Sequence, residues 1–146
     1  MDRTTDIRGK IVTALAGLKY SNTSIPVFDE VVNPSVAIPS VGGASAVYVV
    51  IQDQTEQYNP VQTVCAPRFD INTTIRVVTK WKSTGNKKLS EDIGDTILGL
   101  LRDSRGATTL TGVKKVDLVM SRSIAEYTEK ELSFSKVIIL KFIKNG

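Results

Sequence analysis

The residue types that carry acid–base, nucleophilic or metal chemistry are scarce in this chain. Its 146 residues include no histidine, the side chain most used for proton transfer near neutral pH and the commonest metal ligand. Ser-His-Asp, Cys-His and histidine-containing zinc sites are therefore excluded. The one cysteine, Cys65, excludes an intrachain disulfide and is interpreted as structural. We expect a protein that is not an enzyme and needs neither cofactor nor metal.

Three carboxylates offer the one alternative to that expectation. Glu91, Asp92 and Asp95 fall within about one turn of a predicted helix, and carboxylate oxygens are ligands that Mg²⁺ accepts. Acidic residues are also expected in the first turns of a helix, because they complement its dipole. An enzyme with an unusual carboxylate site remains the weaker hypothesis.

Basic side chains are concentrated in the second half of the sequence. Residues 1–73 carry 5 basic and 7 acidic side chains, whereas residues 74–146 carry 14 and 8. Such a half can contact phosphate or the acidic surface of another subunit. The candidates for facing DNA are Arg76, Lys80, Lys82, Lys87 and Lys88. A small nucleic-acid-binding α+β domain that uses these residues with Lys114 and Lys115 is the alternative function.

Composition and termini indicate an ordinary globular domain made in the cytoplasm. Hydrophobic residues are 41% and charged residues 23% of the chain, and its length suits a single domain, residues 1–146. No apolar run is long enough to span a bilayer. The N-terminus has mixed charge and no apolar signal region, which predicts cytoplasmic synthesis without export.

Hydrophobic periodicity predicts two helices. Ile7, Ile11, Leu15 and Leu18 form one apolar stripe, which predicts a surface helix from about Thr5 to Leu18. A second stripe begins at Leu89 and predicts a helix up to Arg102.

Five segments have strand character. Arg68–Trp81 alternates apolar and polar residues most regularly, and at about 3.3 Å per residue it would reach roughly 45 Å, so part is expected to project past the domain. The others are an edge strand at Ile25–Val32, a central strand at Ala46–Asp53, and a hairpin of Val113–Ser123 and Ser133–Lys144 joined by a polar loop at Ala125–Glu131. Residues 33–46 and 54–67 are predicted to be long loops.

These elements define the fold class. We predict an α+β fold, with a mostly antiparallel sheet of about five strands, two helices packed on one face, long loops and a C-terminal β-hairpin. The last strand is apolar on both faces of the pleat, so a helix can cover one face and a neighbouring subunit the other. The predicted interface residues are Tyr58, Val61, Val64, Val137, Ile139 and Ile143.

The order of elements resembles a known family. With Asp6-Ile7-Arg8 to Ala16-Gly17-Leu18 opening the chain, Ile25-Pro26-Val27-Phe28-Asp29 before the first strand, Val47-Tyr48-Val49-Val50-Ile51, and Leu89–Leu101 after the long strand, it resembles the tail-completion or tail-terminator proteins of tailed bacteriophages. The likeness covers about residues 4–102 and rests on patterns of apolarity.

The resemblance implies a virion structural protein at the head-tail junction. It implies a closed ring of six or twelve copies, with portal or adaptor and tail proteins as neighbours and genome DNA passing through the lumen in non-specific contact. It implies no membrane partner and a place in the virion. The Gln- and Asn-rich stretch at residues 54–63 is longer than the family pattern leads us to expect.

Overall fold

The computed structural model describes residues 3–30, 32, 35–59, 68–82, 84–128 and 130–145. In chain order its elements are α1 (Arg3–Ala14), β1 (Lys19–Tyr20), β2 (Thr23–Ser24), β3 (Val27–Asp29), β4 (Ala46–Asn59), β5 (Arg68–Trp81), α2 (Lys88–Leu101), β6 (Lys115–Tyr127) and β7 (Leu132–Asn145). Neither helix in this part of the chain is long and apolar enough to cross a membrane.

The strands form a five-stranded mixed sheet and a separate two-stranded hairpin. The larger sheet has the order β3-β4-β5-β7-β6, in which β3 is parallel to β4 and every other pair is antiparallel. Strands β1 and β2 pair only with each other. The predicted α+β class and the C-terminal hairpin are confirmed.

Strand β5 is the centre of the sheet, and its bounds are those that the alternation predicts. Its odd-numbered side chains from Ile71 to Trp81 are all buried. They meet Val47, Val49 and Ile51 of β4 on one side and Ile138, Leu140 and Phe142 of β7 on the other. All these apolar residues belong to one core cluster.

Both helices lie on that core side of the sheet. Helix α1 contributes Ile7 and Ile11, and α2 contributes Leu89, Ile93, Ile97 and Leu101. Helix α1 ends at Ala14, earlier than predicted, because the next turn tightens: the amide of Leu18 donates to the carbonyl of Leu15. Leu15 and Leu18 remain buried as the apolar stripe predicts.

Two predicted loops are partly strand. Strand β4 continues through residues 54–59, which pair with the first half of β5 after a β-bulge between Ile51 and Gln54. Composition misled the prediction here, because the polar side chains have partners on the neighbouring strand: Gln54 Nε2 donates to Thr73 Oγ1 at 3.1 Å. Likewise β6 extends through Tyr127, so the connection between β6 and β7 is shorter than expected.

The first strand of the large sheet is shorter than predicted. It runs parallel to its neighbour β4, whereas the two strands of a hairpin run antiparallel. Strand β3 covers three residues, Val27–Asp29, and pairs in parallel with Val49–Ile51. It does lie at the edge of the sheet, as Pro26 suggested.

Two glycines provide a matched test of the packing. A Cβ on Gly85 would lie 2.4 Å from Cγ of the buried Trp81 ring, whereas a Cβ on Gly99 in α2 would meet nothing within 4 Å. We expect Gly85→Ala to lower the free energy of unfolding by about 1–3 kcal/mol. Gly99→Ala should raise it by about 0.5–1 kcal/mol, because alanine favours the helix. Urea unfolding of both variants measures the contrast, and equal effects would contradict it.

The Asp6 carboxylate connects α1 to the end of β7. It accepts hydrogen bonds from Lys144 Nζ at 2.5 Å and Lys10 Nζ at 2.9 Å, and these bonds, chiefly the one from Lys144, lower the pKa of Asp6 below its ordinary value. A lowered pKa in the folded state means that the carboxylate stabilises the fold above the unfolded pKa, about 3.9, and that this stability is lost as the pH falls through the folded pKa.

We therefore expect Asp6→Asn to lower the free energy of unfolding by about 0.5–1 kcal/mol at pH 7, the upper part of the range for ion pairs at a protein surface. The difference from the unsubstituted protein should shrink as the pH is lowered below about 4. Chemical unfolding between pH 2.5 and 7 measures it. A difference that stays constant with pH would contradict the assigned role of the carboxylate.

Candidate interaction surface

The side of the large sheet that faces away from both helices is here called the open face. The alternation of β5 and its register with its neighbours define it. Its side chains are Tyr48 and Val50 from β4, Asn72, Thr74, Arg76, Val78 and Lys80 from β5, Ser133, Ser135, Val137, Ile139, Lys141 and Ile143 from β7, and Met120, Arg122, Ile124 and Glu126 from β6.

The open face has apolar residues outside the main core. Val50, Val78 and Ile143 are each at least 93% buried, yet none belongs to the core cluster under the helices. Phe28 joins them from β3 and packs edge-on against Tyr48, with ring centroids 6.0 Å apart. Since no described helix lies over this face, neighbouring long side chains provide the cover.

Three of the predicted interface residues lie together on the open face. Val137, Ile139 and Ile143 alternate along β7 on this side of the pleat. Val137 and Ile139 are half-buried, whereas Ile143 is buried. Tyr58 lies elsewhere, near the end of β4, where it is 57% exposed and packs against Phe69. Val61 and Val64 fall outside the described residues.

Two of the predicted DNA-facing residues share the open face with these apolar residues. Arg76 lies directly across from Val137. Its guanidinium donates to Glu126 at 3.2 Å and to Ser135 at 3.1 Å, while its Nε is buried without a partner. Lys80 Nζ lies 3.8 Å from Glu131. Both cations are thus already paired with carboxylates of the same chain.

The other predicted cations lie at one end of the molecule. Lys82 follows β5, and Lys87 and Lys88 begin α2; all three are exposed, and no ion pair involves them in the described part of the chain. In the sequence, the five basic residues predicted to face DNA form one group. In the structure, two of them form ion pairs on the open face, and the other three lie beside the start of α2 without an ion pair among the described residues.

A hollow on the open face joins its charged and apolar parts. It has a volume of about 360 Å³, with Val50 and Val78 among its apolar lining and Glu30, Arg76, Lys80 and Glu126 among its charged lining. Sequence reasoning missed Glu30 and Glu126 here, because their approach depends on strands far apart in the chain. A larger groove of about 620 Å³ lies between α1 and residues 109–111, away from every predicted site residue.

The side chain of Arg8, which is 12% exposed, binds the backbone at the first edge of the sheet. Arg8 of α1 donates to the carbonyl oxygens of Ile51 at 2.9 Å and Gln52 at 2.7 Å, and to Gln54 Oε1 at 2.8 Å. It also pairs with Asp29. This fork of donors connects α1, β3 and β4, a role that the helical pattern alone could not reveal.

The arrangement can make salt bridges, hydrogen bonds and apolar contacts with a partner surface. Within the described ranges, no three Asp, Glu, Cys or His side chains are grouped so that they could hold a metal ion. Of the three carboxylates considered in the sequence, Glu91 instead accepts a hydrogen bond from Ser123 at 3.1 Å. Cys65 falls outside the described residues.

Comparison with known proteins finds likeness to solved structures alone. No family model matches the chain, and no curated protein matches it. Among solved structures, it is similar to a chain in the "Virion of native gene transfer agent (GTA) particle", with 8% sequence identity and a TM-score of 0.48. The alignment covers 98% of this chain and 91% of that one.

Proposed function

We propose that this protein is a structural component of a tailed-bacteriophage virion and has no catalytic role. In this proposal it forms a homo-oligomeric ring at the head-tail junction, between portal or adaptor proteins and tail proteins, and genome DNA passes through the lumen. The observation that carries the proposal is the open face: a long sheet covered by helices on one side only, with apolar residues on the other. The resemblance of the element order to tail-terminator proteins supports the same assignment.

The open face has apolar side chains, and no described helix covers them. A sheet buried on one side usually presents polar side chains on the other. Here Val137 and Ile139 lie half-buried beside the charged residues Arg76 and Lys141. Mixed apolar and charged surface of this kind is what a subunit interface uses. In a ring each subunit presents two different surfaces to its neighbours, and the open face is one surface available for such contacts.

The first test is the size of the assembly. We expect native mass spectrometry at micromolar concentration, with and without the neighbouring virion proteins, to detect a discrete oligomer of six or twelve copies. Ile139→Glu should weaken that oligomer by at least about tenfold, because it adds a charge to the apolar part of the open face. Val12→Glu is the matched control, because Val12 is 38% exposed on α1, on the covered side of the sheet.

Thermal unfolding of both variants distinguishes lost assembly from lost folding. A chain that remains monomeric and never joins particles would refute the ring. A normal oligomer in a folded Ile139→Glu variant would refute the role of the open face and leave the ring intact.

The alternative is a small nucleic-acid-binding domain, which the unpaired Lys82, Lys87 and Lys88 favour. Each phosphate contact on duplex DNA adds about 0.9 to the slope of log K against log salt. We expect Lys87→Gln with Lys88→Gln to reduce the slope by about 1.8 if both lysines bind phosphate. Arg105→Gln, at the far end of α2, is the control. Fluorescence anisotropy from 25 to about 200 mM salt measures it.

The two functions differ in strength of binding. Tight DNA binding by a monomer would favour the nucleic-acid-binding domain. Weak binding by a ring, with a slope that depends on Lys87 and Lys88, would support a lumen that DNA passes through. No DNA binding at low salt would contradict a DNA contact of these lysines.

A further inference from the structure

The large sheet ends in two edges with free backbone groups. Strand β6 pairs with β7 on one side. On its other side the backbone of Val116 is already bound, because its N–H donates to the carbonyl of Gly106 and its carbonyl accepts from Arg102 Nε. Beyond Val116, no strand among the described residues pairs with this side.

Strand β4 pairs with β3 only at Val49–Ile51, and Arg8 binds the carbonyl of Gln52. Among the described residues no strand pairs with the outer side of residues 53–59 of β4, which are here called the second free edge. Unpaired strand edges are templates for pairing with another chain.

The β6 edge exposes apolar side chains. Leu118, Val119 and Met120 are consecutive, and each is at least 40% exposed. They surround the β-bulge of this strand. Monomeric proteins generally keep exposed edges short, charged or bulged. The bulge interrupts the edge, but three consecutive exposed apolar side chains beside it are better explained as a contact surface than as a solvent-exposed strand.

Among the described residues, each free edge has one charged side chain without an ion pair, and the two charges are opposite in sign. On β6 the acidic residues are paired, Asp117 with Lys115 and Glu126 with Arg76, which leaves Arg122. On β4 Glu56 is paired with Arg3, which leaves Asp53. Neither Arg122 nor Asp53 has an ion pair in the described part of the chain.

Strand directions favour the same partner. Strands β4 and β7 run one way, and β5 and β6 run the other way. Rotation about an axis parallel to the strands keeps these directions in every copy. It therefore brings β6 of one copy against β4 of the next in antiparallel orientation, a pairing with well-aligned hydrogen bonds.

We propose that β6 binds the free edge of β4, residues 53–59, in a second copy of this chain, and that the sheet thereby continues from subunit to subunit. Arg122 of one copy then lies close to the acidic residue Asp53 of the next, and the apolar residues at the β6 bulge are covered. This inference rests on the proposed ring, because in a ring one surface of each copy binds a different surface of the next copy. It adds the two strand edges to the open face as surfaces that contact a neighbouring copy.

Charge reversal tests the pairing. Arg122→Glu and Asp53→Arg should each raise the dissociation constant of the oligomer about tenfold or more, since like charges then meet across the joint. The double variant should regain most of that loss. Lys19→Glu, on the separate β1–β2 hairpin, and Asp95→Arg, on α2, make the same charge changes away from both edges and should leave assembly unchanged. Analytical ultracentrifugation measures the distributions, with thermal unfolding as the folding control.

Disulfide trapping tests the geometry without reversing charge. In a Cys65→Ser background, chains with Met120→Cys on β6 are mixed with chains that have Thr55→Cys on β4; both positions are exposed and lie on the open face. Oxidation should link the two kinds of chain to each other. Linkage of Met120→Cys chains among themselves alone would indicate a symmetric β6–β6 dimer and would overturn the proposal.

The remaining outcomes separate this inference from the ring itself. Rings that form normally in both single charge variants and give no mixed disulfide would overturn the edge pairing while the ring stands. Loss of assembly in both single variants without recovery in the double variant would overturn the pairing of Arg122 with Asp53. A wild-type chain that is always monomeric and gives no mixed disulfide would overturn both proposals.

Discussion

The unequal lengths of strands and helices determine most of this structure. A strand of 14 residues extends about 46 Å, whereas a helix of 14 residues extends about 21 Å. Strands β4, β5 and β7 have that strand length, and α2 has that helix length. Two such helices on one side cannot cover the sheet from end to end, and they leave its other side to the strands' own side chains. The open face, the polar end of β4 and the free edges all follow from this mismatch.

Predictions from sequence succeeded where a local pattern decides the structure. The alternation in Arg68–Trp81 gave β5 its observed bounds, and the stripe from Leu89 gave α2 to within one residue at each end. The end of α1 was wrong because a tight turn at Leu15–Leu18 keeps the same apolar residues buried without a helix. The apolar pattern is compatible with either a helix or a tight turn at these residues.

Prediction from sequence failed where the structure of a segment depends on pairing with a strand far away in the chain. Residues 54–59 have loop-like composition, yet β5 offers them a ladder of backbone partners. The parallel pairing of β3 and the fork of Arg8 depend on contacts between segments far apart in the chain. On the candidate surface, Val137 and Ile139 alternate along β7 on the face away from the helices. That Arg76 would lie among them follows only from the order β5-β7 in the sheet.

The position of β7 has a consequence for how the chain folds. This strand follows β6 in the chain, yet it lies between β5 and β6 in the sheet. Strands β5 and β6 are synthesised before β7, and neither can form all of its interstrand hydrogen bonds until β7 is present. Folding of this kind, dominated by pairings distant in sequence, is slow. The sheet is therefore completed only when β7 has paired with both β5 and β6.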